Sequence, residues 1–493
     1  MVEGAETEDS GSLTPRQRRA LTRVRSDRTI IVTLASAGLV VSFMQTLVTP
    51  IYPRLPVLID APPADVSWVL TATLLAAAIA TPISGRLGDM YGKRRVMLLL
   101  LAILVGGSII CAISFSLVPL VVGRVFQGVG IGVIPLGISI LRDVIHPKNL
   151  GGAVALVSAT LGVGGAVGLP LAATIAQFAD WHALFWLATF LGLAGIVAVA
   201  LVIPVSTLRS GGAFDYLGAV GLAVGLVGIL LAISNGTVWG WGSPITVSLL
   251  VGGVVVLVGW GFFELRSLHP LVDLRVAARR PVLLTNLASI SIGFAFFVVN
   301  ASLPLVLEAP ASTGFGLGQP LIVASLCLMP LGLVMFFMSP VAARLTAARG
   351  ARTSLIIGAA IVAVGFTLAI FFLDQVWHII LVSTITGIGV GFAYAAMPTL
   401  IMQSVPPNET AAANGLNSVM RTLGSTLSAT LVGVILATHV VVLDGVGVPT
   451  RDGFAWVFVM GAGVVLLGLV IALFIPRRVQ RYDTSSIPVQ LGP

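Results

Sequence analysis

The chain has 493 residues, of which 57% are hydrophobic and 9% charged. A soluble chain of this length would carry roughly 25% charged residues. The composition therefore excludes an ordinary soluble enzyme, a disordered protein and a nucleic-acid binder. The formal net charge of +8 comes from few charges, and their placement points to a membrane. Arg outnumbers Lys by 25 to 2.

Residues 1–28 are polar and carry Arg16, Arg18, Arg19, Arg23, Arg25 and Arg28. No short apolar stretch with a cleavage site precedes them, so they read as a basic, disordered tail rather than a signal peptide. Fourteen apolar runs follow, at 30–52, 66–86, 95–116, 118–141, 151–174, 182–204, 214–233, 245–263, 282–306, 319–342, 353–373, 376–402, 409–437 and 453–475. Each is close to the roughly 20 residues that cross a hydrocarbon core as a helix. They are continuous and rich in Gly and Ala, which suits close helix packing in lipid and not the alternating strands of a barrel. Cys111 and Cys327 lie inside such runs and read as small core residues.

With the N-terminal tail cytoplasmic, 23 of the 27 basic residues fall on the cytoplasmic side. Arg54 and Arg451 fall outside, and Arg124 and Arg421 lie within spans. One missed or extra helix would invert every later loop and spoil this bias, so the positive-inside rule supports the count and places both termini inside.

The chain also repeats itself. Thr81–Arg94 after span 2 and Ser339–Arg352 after span 10 align at a constant offset of 258 residues, with Pro, Arg, Leu, Gly and Arg coinciding at five of fourteen positions. The repeat is therefore six spans plus an inserted pair. The expected architecture is an all-α integral membrane protein: a six-helix bundle over 29–205, an inserted pair with its linker over 206–280, a second bundle over 281–476 and a tail over 477–493. Parallel repeats of this kind build transporters that rock around a central site.

Gly85-Arg86-Leu87-Gly88-Asp89-Met90-Tyr91-Gly92-Lys93-Arg94 resembles the loop signature of the major facilitator superfamily. Arg124-Val125-Phe126-Gln127-Gly128 resembles its Arg-x-x-Gln-Gly motif, and Gly162–Pro170 is a degenerate form of the antiporter Gly-Pro motif. Trp239–Gly242, His269-Pro270-Leu271 and Asn417–Gly424 are similar to stretches of the fourteen-helix drug:proton antiporter branch. The resemblance covers residues 28–476. It implies a monomeric plasma-membrane transporter, in a bacterial inner membrane, that exports small lipophilic compounds against protons, with no cofactor and no enzymatic activity.

The resemblance also implies roles for residues. Asp89, with Gly85, Arg86, Gly92, Lys93 and Arg94, would form a latch between the two bundles. Arg124 would serve in proton coupling, with Gln127 on its helix face. A buried Arg stays charged and needs acceptors, and backbone carbonyls could equally supply them. Asn414, Asn417, Arg421 and Ser425 recur at helical spacing and form one polar stripe. Such a stripe either lines a cavity or joins helices.

One departure from the family pattern bears on mechanism. Where this branch carries an acid in span 1, the chain has Met44. The 19 acids all fall in the tail or near loops, and the five His residues lie at span ends or in loops. Coupling would then use acids near the outer mouth, Asp65 or Glu308, or another cation, or no ion at all. The apolar interior suits a lipophilic or amphipathic molecule. Gln45, Thr46, Asn286, Asn300 and Tyr394 could orient it, and Phe43, Trp68 and Phe126 could stack on a ring. A permease of another coupling type and a non-transporting sensor on the same fold are the competing readings.

Overall fold

The computed structural model describes residues 26–205, 213–443 and 446–477. The described residues form fourteen helices long and apolar enough to cross a membrane. They are α1 (Asp27–Thr46), α2 (Trp68–Tyr91), α3 (Lys93–Ala112), α4 (Leu117–Val144), α5 (Pro147–Phe178), α6 (His182–Val202), α7 (Tyr216–Trp239), α8 (Pro244–Arg266), α9 (Arg280–Glu308), α10 (Leu321–Arg349), α11 (Ala351–Phe371), α12 (Val376–Ser404), α13 (Thr410–Thr438) and α14 (Arg451–Leu473). Each overlaps one predicted run. The expected tails at 1–28 and 477–493 lie outside the described residues, apart from 26–28 and 477. Residues 26–28 open α1 instead of belonging to a tail, because the Ser26 hydroxyl accepts the Thr29 amide and caps the helix.

Two boundaries differ from expectation for clear reasons. The first helix ends at Thr46 instead of reaching 52. Pro50 and Pro53 cannot continue it, and a 3-10 turn over Tyr52–Arg54 follows. The second helix runs on to Tyr91, so most of the expected loop is helical. Gly92, at φ 103°, is the break, a conformation costly for any side chain. On the opposite face an antiparallel hairpin of β1 (Val440–Leu443) and β2 (Val446–Pro449) joins α13 to α14.

The internal repeat is physical. Gly350, 258 residues after Gly92, breaks the chain at φ 87°. Arg94 donates to the Ala200 carbonyl near the end of α6 at 2.5 Å, and Arg352 donates to the Leu473 carbonyl at the end of α14 at 2.6 Å. The same turn is thus tied to the last helix of each half in the same way.

The buried apolar residues fall into separate cores. One is built from α1 to α6 with Met402 and Ala411, and another from α9 to α14. A third joins α7 and Leu271 and Val272 of the linker to α2 and α13, through Leu75, Ala78 and Val419. The inserted pair therefore packs at the seam. Along that seam α5 meets α10, and α2 meets α13.

Candidate functional site

The C-terminal ends of α2, α4 and α10, which carry Arg86, Arg142, Arg344 and Arg349, share one face of the molecule with the start of α13, here called the basic face. There α2 and α13 approach closely because both present glycine. A Cβ on Gly85 would stand 2.6 Å from the Ala411 carbonyl oxygen, and one on Gly415 would stand 2.9 Å from that of Thr81. Gly85→Val should therefore force the bundles apart at this face. The expected result is normal insertion with transport lowered about tenfold or more, read as dye flux per molecule of purified protein.

This approach seats Asp89 on the first turn of α13. Its carboxylate accepts the Ala411 amide at 3.4 Å and the Ala412 amide at 3.0 Å. A carboxylate suits a helix N-terminus, where amides lack partners and the dipole is positive. Lys93 stands 3.7 Å from Asp89 and 2.8 Å from Asp143 at the end of α4. Lys93 is 0% exposed and Asp89 is 1% exposed. The neighbouring Arg142 donates to the Thr410 hydroxyl at 2.7 Å and to the Val405 carbonyl at 3.2 Å. These hydrogen bonds cross from one bundle to the other.

The expected latch residues thus divide. Asp89 and Gly85 meet α13 directly, and Lys93 meets Asp89 and Asp143 within its own bundle. Arg86 is buried and, with His269, Asp273 and Glu409, lines a shallow cavity beside the α2–α13 junction. Gly92 makes the turn, and Arg94 holds α6. Arg142, Asp143 and Thr410 escaped the sequence reading. Their only signal was a basic-acidic pair at the end of span 4.

Toward the other face, Arg124 lies on α4 and is 1% exposed. It donates to the carbonyls of Met44 at 3.2 Å and Val69 at 3.3 Å, and to the Gln127 side chain at 2.7 Å. Gln127 donates in turn to Ser108 at 2.9 Å, whose hydroxyl is 3.8 Å from the Met44 sulfur. One guanidinium therefore joins α1, α2, α3 and α4. All its acceptors are neutral.

The polar stripe of α13 turns mostly into its own bundle. Asn417 donates to Asn286 at 2.9 Å and to Ser289 at 2.7 Å, and Ser425 donates to the Gly293 carbonyl at 3.1 Å. Asn414 donates to the Thr410 carbonyl of its own helix at 3.0 Å. Asn417 and Ser425 thus join α13 to α9. Arg421 is the exception. It is held by Asn417 at 3.1 Å and Ser418 at 3.3 Å, with its guanidinium carbon 5.1 Å from the centre of the Tyr394 ring, and it stays partly exposed. Tyr394 pairs with Phe296 at 5.8 Å between ring centres.

The remaining expected residues scatter. Gln45 and Trp68 are partly exposed, and Asn300 is bonded to its own helix at Phe296. Phe43 and Thr46 pack against the glycines of α5, where Thr46 donates to the Phe43 carbonyl at 2.9 Å. Phe126 is 40% exposed and lies over Gly107. Two residues after Arg124 on a helix, it faces nearly the opposite way. Asp65 sits in a short turn of helix and Glu308 ends α9, both exposed.

The sequence model described as Major Facilitator Superfamily matches residues 34–429 and 331–490. The chain belongs to this superfamily. The Lincomycin resistance protein LmrB of Listeria monocytogenes is 28% identical over 91% of this chain and 96% of its own length. An uncharacterized MFS-type transporter of Mycobacterium tuberculosis is 28% identical over 59% of this chain, and that match spans 43% of the relative's length. The crystal structure of the human organic anion transporter MFSD10 (TETRAN) superposes with a TM-score of 0.66 at 15% identity, covering 91% of this chain and all of that one, and shares the fold. The superfamily protein described here is thus a multi-pass membrane protein with multidrug-resistance-type relatives.

Proposed function

We propose that the chain exports lipophilic or amphipathic compounds from the cell by alternating access, as a monomer with both termini in the cytoplasm. The observation that carries this reading is the seating of Asp89 on α13. It closes the basic face between two separately cored bundles, as one end state of a rocking carrier would require. The distribution of Arg supports a cytoplasmic position for that face. The names of relatives such as LmrB support efflux.

In this reading the proton gradient drives export, and Asp65 and Glu308, both exposed and at helix ends, take up and release the proton. A second reading, a carrier without proton coupling, is favoured by one observation: the acceptors around Arg124 include no titratable acid, and Met44 occupies the place of one.

Accumulation of a lipophilic fluorescent dye in energised inside-out vesicles separates these readings. Nigericin removes the pH difference, and valinomycin with potassium removes the voltage. Accumulation abolished by nigericin alone supports proton coupling. Accumulation that survives nigericin supports the second reading. No accumulation under either gradient, where a related carrier works in the same vesicles, would overturn the export reading.

A further inference from the structure

Away from the basic face, the guanidinium groups of Arg124 and Arg421 have no carboxylate bonded to them among the described residues. Arg124 is enclosed by two carbonyls and an amide. Arg421 is held by an amide, a hydroxyl and the face of a phenol ring. Neither takes part in an ion pair among the described residues. The contrast within this molecule is clear, since buried Lys93 faces two carboxylates. An unpaired charge taken out of water is costly, and Arg stays charged when buried.

The two sites differ in access. Arg124 is fully enclosed. Arg421 is partly exposed, lies midway along α13, and stands beside the Tyr394–Phe296 ring pair. It thus offers a fixed cation next to an aromatic surface. Its planar fork matches a carboxylate or sulfonate in a bidentate geometry.

We propose that the substrate is an amphipathic aryl anion, whose acidic group docks on Arg421 and whose ring packs on the partly exposed Phe296, with buried Tyr394 fixing both from behind. Arg124 adds fixed positive charge without touching it. The substrate then supplies the counter-charge that the protein lacks. This inference rests on the transporter reading above in its form without proton coupling, since an inside-negative membrane potential by itself drives an anion outward.

The test uses fluorescein, an aryl carboxylate, against rhodamine 6G, a cation of similar size. Anisotropy titration of the purified full chain reads binding, and proteoliposomes under an imposed voltage read flux. The expected result is preferential binding and voltage-driven flux of fluorescein. Arg421→Gln should weaken fluorescein binding about tenfold, the loss of one charge-assisted hydrogen bond, and Arg421→Lys should restore part of it. Preference for rhodamine 6G, equal binding of both dyes, or unchanged fluorescein binding in Arg421→Gln would overturn the anion inference and leave the transporter reading standing. The dye preference of the wild-type protein decides the point even where a variant does not fold. Flux of neither dye, with a working reference carrier beside it, would overturn both.

Discussion

Arg124→Ala should abolish transport, to below about 1% of the wild-type rate, while the protein still reaches the membrane. The expectation follows from the number of elements the side chain joins. It bonds the Met44 carbonyl of α1, the Val69 carbonyl of α2 and Gln127, which in turn holds Ser108 of α3. Val69 already accepts the Thr73 hydroxyl, so the Met44 carbonyl and Gln127 lose most. A buried polar group left without its partner costs about 1–3 kcal/mol. The loss falls within one bundle, between helices that must move together. Arg124→Lys should recover little, because an ammonium group cannot span these acceptors in one plane. Flux per molecule and thermal unfolding in detergent check this together. Wild-type flux in Arg124→Ala would show that the network only fills space.

Lys93→Met should be the most destabilising single change at the basic face. It leaves Asp89 and Asp143 buried without the cation between them. Removing one partner of a buried ion pair costs about 3–5 kcal/mol. Here the loss has two outlets. The protein can unfold more easily, or it can open the face and hydrate both carboxylates. Either lowers transport. The double variant Lys93→Met with Asp89→Asn should recover part of the stability, because one of the two carboxylates that faced Lys93 is then neutral. Thermal melts of the single and double variants measure the coupling. Additive losses would show that Lys93 and Asp89 act independently.

Much of this architecture was legible in the sequence, because in lipid a backbone must satisfy its own hydrogen bonds and can do so as long apolar helices. The repeat at an offset of 258 residues was visible as well, and Gly92 with Gly350 and Arg94 with Arg352 give it a structural meaning. The legibility failed where hydrogen bonds join distant parts of the chain. Nothing local to Asp89 shows that its partners are the amides of Ala411 and Ala412. The Arg142–Thr410 bond likewise links residues with no shared motif. The stripe on α13 illustrates a subtler limit. Helical spacing puts Asn417, Arg421 and Ser425 on one face, but it cannot say which neighbour that face meets. Asn417 and Ser425 turn to α9, and Arg421 turns to Tyr394 of α12. Phe126 shows the converse, since it stands only two residues from Arg124 in sequence while helix geometry turns it nearly the opposite way.

The most direct test of the account is a distance distribution across the basic face, from spin labels at Tyr91 on α2 and Arg349 on α10. Both positions are exposed, and Cys111 and Cys327 are buried away from the labelling reagent. Alternating access predicts two populations in lipid, a short one with Asp89 seated on α13 and a longer one with this face open. It predicts that Asp89→Asn shifts weight to the longer one, changing their ratio about tenfold, the worth of one charge-assisted hydrogen bond. A single short distance, unchanged in Asp89→Asn, would contradict it.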